Sequence, residues 1–331
     1  MHFVTHLTIA LTALIIIVFS CMFFTNAIEF LGNKLKLGNN ATGSILAVIG
    51  TGLPELVIPL VAIFGANFSD VKIETACEIA LGAIIGSPFM LSTLALFLLV
   101  FVLMVQKRKR LYVDCNAILR NYKYFILSYF IAVLFSFKFL NDYKSFAVLL
   151  LITIYCFFVY RTIVKSRCVC IECENDGLYL KIKNENLALF LQLTLSLFAL
   201  ILSSHFFVDE IKYFSTVLNI SPAILALVVT PFATELPECV NSLIWLKQGK
   251  DDLALANILG AVVYQATILF SIGIILTPWI FDNILIANIF LTFLGAIILS
   301  LGLMKNKKIT LANLLFCGII YFAYLVYIFI K

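Results

Sequence analysis

The sequence predicts an all-α polytopic membrane protein, with ten transmembrane helices built as two inverted five-helix repeats. Three observations predict it. Of the 331 residues, 63% are hydrophobic and only 12% are charged, more apolar surface than a soluble core can hide. The apolar residues fall in ten runs, each about 20 residues or longer and so able to cross a hydrocarbon core of roughly 30 Å. A polar string also occurs twice. Gly50-Thr51-Gly52-Leu53-Pro54-Glu55 lies in the second run and Ala233-Thr234-Glu235-Leu236-Pro237-Glu238 in the seventh, with Thr, Pro and Glu in the same order and spacing.

The runs lie near 8–31, 43–65, 77–104, 122–141, 145–164, 187–208, 220–246, 252–277, 283–304 and 309–330. Helices are expected throughout, because membrane β-strands show as short alternating segments. The first run is read as a retained helix: Met1 to Leu7 carries no Lys or Arg, and the run is too long for a cleaved signal peptide. The most polar stretch, 165–186, is a hinge loop between the first five helices (1–164) and the second five (187–331). An odd number of helices per half makes the second half enter the membrane inverted, a common build for secondary transporters with a site at the repeat interface.

Charge sets the orientation. If the loops after helices 1, 3, 5, 7 and 9 face the cytoplasm, they and their helix ends hold 18 of the 23 basic residues. Lys72, Lys138, Lys144, Lys212 and Lys331 remain on the other side. This satisfies the positive-inside rule and puts both termini outside a plasma or bacterial inner membrane. The net charge of +5 is thus a topology signal and calls for no nucleic acid. The expected partners are the lipid bilayer and inorganic cations.

A carboxylate at membrane depth is costly and marks function. A proline there breaks a helix and frees backbone carbonyls that can face an ion. Glu55 and Glu238 are singled out because the repeat selects both. Helices 3 and 8 extend the repeat: Ala80-Leu81-Gly82-Ala83-Ile84-Ile85-Gly86-Ser87 parallels Ala254-Leu255-Ala256-Asn257-Ile258-Leu259-Gly260-Ala261, with small residues at spacings that let backbones approach. Glu78, Asp251 and Asp252 precede these stretches and suit the positive end of a helix dipole.

At these residues the chain resembles the calcium/cation antiporter superfamily, whose best-known members are sodium/calcium exchangers. Its members carry two α-repeats of the form Gly-Thr-Ser-x-Pro-Glu, followed one helix later by Gly-Asn-x-x-Gly-Ser-Asn-x-x-Asn/Asp. Here the repeats fall at about 38–104 and 221–277. The resemblance implies a secondary cation antiporter, sodium/calcium exchanger-like, with no cofactor beyond transported calcium, sodium or protons. It implies ion ligands at Glu55, Glu238, Thr51, Thr234 and Ser87. The chain departs at Gly52 and Glu235, each in place of the Ser, at Ala261, and at Leu91 and Gln265, the Asn/Asp positions.

Calcium takes about six to eight hard oxygens, several of them charged. Leu91 supplies none and Gln265 a neutral carbonyl, whereas Glu235 adds a carboxylate three residues before Glu238. Three bare charges cost roughly 8–10 kcal/mol by insertion scales, so they need cations, protons or water. Glu235 is therefore expected to replace the charge lost at Leu91 and Gln265. The bland alternative is that Glu235 is hydrated in a vestibule and that Pro54, Pro88, Pro231 and Pro237 are kinks. Packing is expected of Ser92 and Tyr264, and snorkelling or capping of Glu29.

Cys168, Cys170 and Cys173 form Cys-x-Cys-x-x-Cys in the hinge, where a reducing cytosol argues against disulfides and a closed zinc site lacks a fourth ligand. The other six cysteines are read as packing. An enzyme is not expected: the histidines are His2, His6 and His205, near helix ends, and no nucleotide-binding string occurs. The remaining alternatives are a proton or other divalent-cation exchanger, and a non-transporting sensor or scaffold, which ion flux in sealed vesicles distinguishes.

The 18-to-5 basic asymmetry predicts that single cysteines placed at Lys107–Arg110 are shielded from an impermeant thiol reagent in intact cells and react after permeabilisation. Labelling in intact cells would reverse the orientation.

Overall fold

The computed structural model describes residues 2–52, 55–56, 59–60, 63–64, 73–166, 177–217, 227–228, 231–232, 234–306 and 308–330. Its helices are α1 (His2–Lys34), α2 (39–51, helical again at 55–56, 59–60 and 63–64), α3 (73–105), α4 (Cys115–Leu134) and α5 (Lys144–Ser166). After the hinge come α6 (Glu185–Val217), α7 (Leu236–Lys247), α8 (Asp251–Leu276), α9 (Asn283–Asn306) and α10 (Leu311–Ile330). Eight helices among the described residues are long and apolar enough to cross a membrane; α2 and α7 are described over shorter stretches. Cys168, Cys170 and Cys173 lie outside the described residues.

Two helices sit at the centre. Every residue from 80 to 96 in α3 and from 253 to 267 in α8 is buried, which explains why these runs are apolar all round. Around them, large side chains such as Phe19, Phe130, Leu149, Phe198, Phe290 and Ile319 are exposed, as a lipid-facing surface requires. Hydrophobic contact with lipid does not drive helices together, so close backbone approach does. A Cβ on Gly260 would collide with the Ser44 backbone, and one on Gly86 would meet Leu227 O and lie 2.7 Å from Pro231 Cγ. α2 thus packs on α8, and Leu227 and Pro231, ahead of α7, pack on α3.

α1 and α6 are each 33 residues, about 50 Å long at 1.5 Å per residue. That exceeds the expected runs 8–31 and 187–208, because polar residues at both ends are held by the partner helix. The two lie antiparallel: Phe3 meets Phe214, His6 Nδ1 lies 2.6 Å from Glu210 Oε2, Gln192 Nε2 donates to Asn26 Oδ1 at 2.8 Å, and Lys34 donates to Asn186.

The described loops gather at two ends of the bundle. At one end Glu29 of α1 accepts from Lys250 Nζ at 2.6 Å and from the Trp245 indole. Glu29 is thus an ion-pair partner, not a snorkelling or capping residue. Gln106 Nε2 donates to Lys247 O at 3.0 Å, and Arg108 forms a two-pronged pair with Asp251. A two-residue strand β1 (Arg110–Leu111) pairs antiparallel with β2 (Ile309–Thr310). At the opposite end Lys144 Nζ donates to Pro278 O at 2.9 Å.

Three helices stop the same way at the first end. Lys36, Lys107 and Gly249 have φ of 53°, 55° and 79°. The next residues donate five back, Leu37 to Gly32, Arg108 to Leu103 and Lys250 to Trp245, at 2.8–2.9 Å. These are Schellman caps, in which glycine is usual. Asp114 opens α4 by accepting from Asn116 N and Ala117 N, and Asn184 opens α6 likewise.

Gly260→Val and Gly86→Val are predicted to lower the melting temperature of the detergent-purified protein or abolish its monodisperse peak on size exclusion. Gly295→Ala, whose Cβ meets nothing nearer than 3.5 Å, should leave both unchanged.

Candidate cation site

α2 and α7 carry the carboxylates, and α3 and α8 the polar groups opposite. Glu55 is helical in the continuation of α2. Glu235 sits at a bend just before α7, with φ −84° and ψ −2°. The ladder survives the bend, since Glu235 N donates to Pro231 O at 2.8 Å and Cys239 N to Glu235 O at 3.0 Å. Pro237, in the first turn, has no N–H to give. Glu238 follows it and, with Glu235 three residues earlier, faces the same interior. Glu55, Glu235 and Glu238 are 3%, 0% and 0% exposed. Each offers a carboxylate oxygen, and these lie within 4.8 Å of one another. A hydrated vestibule for Glu235 is therefore excluded.

Gln265 lies between two of them. It opens a π-helical segment, Gln265–Leu269, of the kind that locally widens a helix at functional positions. Its Nε2 donates to Glu55 Oε2 at 2.9 Å and to Glu235 Oε2 at 2.8 Å. Thr234 Oγ1 donates to Glu235 Oε1 at 3.3 Å. Ser87 on α3 also faces Glu235, and Thr51 faces Glu238, although the Thr51 hydroxyl donates to Ala47 O at 3.1 Å. The structure thus gathers all seven expected positions: Thr51, Glu55, Ser87, Thr234, Glu235, Glu238 and Gln265.

Glu55 Oε1, both oxygens of Glu238 and Gln265 Oε1 are buried and have no hydrogen-bond partner in the protein. Buried acceptors left this way are costly, and a hard cation satisfies several at once. With the Thr and Ser hydroxyls beside them, the donor set suits an oxygen-seeking ion such as calcium or sodium.

The departures from the family pattern have local causes. Leu91 is fully buried and opens the π segment Leu91–Ala95 in α3, equivalent to Gln265, so its half supplies no ligand there. At Gly52 a Cβ would sit 2.8 Å from Tyr264 Cε1, which leaves no room for Ser. Tyr264 packs edge-on against Tyr155, and Ser92 Oγ donates to Phe89 O at 3.2 Å, so both are packing residues as expected. Asp251 and Asp252 do open α8, and they also accept from Tyr112 N and Asp114 N at 2.7 Å.

Two asparagines belong to the surroundings of the site: Asn257, at the Asn of the family's Gly-Asn motif, and Asn241, which was not foreseen there. Asn257 Nδ2 donates to Glu238 O and to Ser242 Oγ, both at 3.0 Å, and braces α7 on α8. Asn241 is fully buried with neither amide atom partnered. Its spacing of three from Glu238 is the signal that could have found it.

With this geometry in place, comparison with known proteins is informative. The family model described as sodium/calcium exchanger protein matches residues 5–164 and 188–331. The putative antiporter CaxA of Alkalimonas amylolytica is 32% identical over 90 residues, 27% of this chain and 28% of CaxA. The matched stretch is thus under a third of that relative's length. The sodium-calcium exchanger NCX_Mj, soaked with 10 mM Na+ and 10 mM Sr2+, superposes with a TM-score of 0.75 at 19% identity over 98% of both chains. The same exchanger soaked with 2.5 mM Na+ and 0.1 mM Ca2+ gives 0.74 at 18% identity, over 97% of this chain and 98% of that one. At such identities the likeness establishes the fold.

Gly52→Ser, which would restore the family residue, is predicted to overpack against Tyr264 and cost about 1–3 kcal/mol, read as a lowered melting temperature. Adding Tyr264→Leu should recover it; an unchanged melting temperature for the single variant would count against the packing account.

Proposed function

Because the chain belongs to the sodium/calcium exchanger protein family, we propose that it is a secondary active antiporter exchanging sodium for calcium by alternating access around Glu55 and Glu238. The observation that carries this reading is the buried trio Glu55, Glu235 and Glu238, whose oxygens converge within 4.8 Å. Three carboxylates offer enough charge for one divalent ion or for several monovalent ones in turn, which is what an exchange cycle needs. Thr51, Thr234, Ser87 and the Gln265 carbonyl supply the neutral oxygens.

Alternating access rests on the ten-helix inverted repeat, and the packing supports that arrangement. The Gly260–Ser44 contact of α8 with α2 is echoed by the Gly86–Leu227 contact in the other half. Positions 86 and 260 are equivalent in the paired stretches of α3 and α8, as are Thr51 and Thr234 in the paired strings. Two similar halves that cradle one site can exchange conformations, exposing it to either side in turn.

The test is ion-dependent flux in proteoliposomes. Sodium-loaded vesicles should take up calcium when the outward sodium gradient is imposed. Glu55→Gln and Glu238→Gln should each reduce this by at least about 100-fold while leaving the size-exclusion profile intact, since each removes a charge that nothing nearby replaces. Native exchange rates from either variant would remove that residue from the site.

A further inference from the structure

The three carboxylates are not equivalent, and hydrogen-bond accounting separates them. Glu235 has the most donors around it: its Oε2 accepts from Gln265 Nε2 at 2.8 Å, its Oε1 lies 3.3 Å from Thr234 Oγ1, whose hydroxyl is as close to Pro231 O, and Ser87 faces it as Thr51 faces Glu238. Glu238 has none on either oxygen, and Glu55 has one oxygen taken and one without a partner. The atoms left without donors are thus Glu55 Oε1, Glu238 Oε1 and Oε2, and Gln265 Oε1.

The direction of the Gln265 amide is fixed by chemistry. Two carboxylate oxygens lie on one side of it, at 2.9 and 2.8 Å. With a cation bound and both carboxylates ionised they only accept hydrogen bonds, so the NH2 group faces them. The carbonyl oxygen is then held about 2.3 Å from that nitrogen by covalent geometry and points away from the Glu55–Glu235 pair. Gln265 Oε1 is therefore aimed, not free; Glu55 and Glu235 both hold the amide, and of the two Glu235 is the one with no unpartnered oxygen left for an ion.

We propose that Glu235 is a positioning residue, and that it turns the Gln265 carbonyl, together with Glu55 and Glu238, onto the transported hard cation. This rests on the antiporter reading and refines it. Glu235 supplies negative charge near the ion but touches it through Gln265, so the position where the family pattern has Asn or Asp still delivers an oxygen. Leu91 in the other half cannot do so. The seat is consequently one-sided, with its neutral carbonyl contributed by α8 alone.

The test is a double-mutant cycle read by binding, separate from transport. Sr2+ and Ca2+ affinities of the full chain in detergent are measured by titration calorimetry for the native protein, Glu235→Leu, Gln265→Met and the double variant, with Glu235→Gln, Glu55→Gln and Glu238→Gln alongside. A residue that acts through another shows non-additive losses. Glu235→Leu and Gln265→Met should each weaken binding by about tenfold or more, and the double variant by no more than threefold beyond Gln265→Met. Glu235→Gln keeps an acceptor for the Gln265 amide and should stay within about tenfold of native, whereas Glu55→Gln and Glu238→Gln should lose at least about 100-fold. Losses that multiply in the double variant, or a Glu235→Gln loss equal to that of Glu238→Gln, make Glu235 a direct ligand and overturn the inference alone. Absence of cation binding by the native protein overturns the antiporter reading and the inference with it. If the Leu variant does not fold, the isosteric Glu235→Gln comparison decides by itself.

Discussion

Everything central in this protein answers one constraint: three carboxylates are held within 4.8 Å of each other in a fully buried interior. Like charges this close repel, and at membrane depth no bulk water screens them. The protein meets the constraint with one fixed donor, the Gln265 amide, shared between Glu55 and Glu235. It leaves the rest of the acceptors facing inward without protein partners. A soluble core would treat that as a defect. In a transporter the unmet acceptors are what gives a cation a reason to enter a site otherwise lined by hydrocarbon.

The geometry that makes this possible is irregular helix. π segments at Leu91–Ala95 and Gln265–Leu269 start at equivalent positions of α3 and α8. In each the middle Thr hydroxyl turns back to the carbonyl four residues earlier, Thr93 to Phe89 and Thr267 to Val263, at 2.5 and 2.6 Å. The backbones of the two halves thus repeat a device whose side chains differ. Ser87 is matched by Ala261, Leu91 by Gln265, and Gly52 by Glu235. The backbones of the two segments match, while four of the seven gathered polar positions, Thr234, Glu235, Glu238 and Gln265, lie in the second half. The site leans toward α7 and α8 for that reason.

Much of this was legible in the sequence, because it is carried by rules of composition and spacing. Apolar runs placed the eight long helices found among the described residues, and the doubled Thr-x-x-Pro-Glu strings picked out Glu55 and Glu238, which the fold brings together. The spacing of three between Glu235 and Glu238 also placed the third carboxylate correctly. What was not legible depends on contacts between distant segments. Glu29 read as a helix-end residue, since Lys250 and Trp245 are more than two hundred residues away. The length of α1 and α6 was underestimated because each is extended past the hydrophobic run by polar pairing with the other. The role of Gln265 was half visible: its carbonyl was counted as a ligand, but the amide's bridge to two carboxylates needs coordinates. The left-handed caps at Lys36 and Lys107 were invisible because glycine, their usual signal, is absent.

The links that close one end of the bundle differ in strength, and the difference follows from burial. Lys250 and Glu29 form a single contact at 2.6 Å with both side chains partly exposed, 26% and 20%. Such a pair contributes about 0–1 kcal/mol. Asp251 is only 3% exposed. It takes both prongs of Arg108, itself 21% exposed, and the Tyr112 amide as well, so losing either partner costs more than breaking the Lys250–Glu29 contact. The segment that follows α3 is therefore fastened to the start of α8, and β1–β2 extends that fastening to α10. α1 is tied to the same end by the weaker link, while along its length it pairs with α6. α1 also packs on α2, where a Cβ on Gly50 would collide with the Phe24 ring, and on α7 through Glu29 and Trp245. Glu55 and Glu238 thus sit on two helices that each contact both α1 and α8.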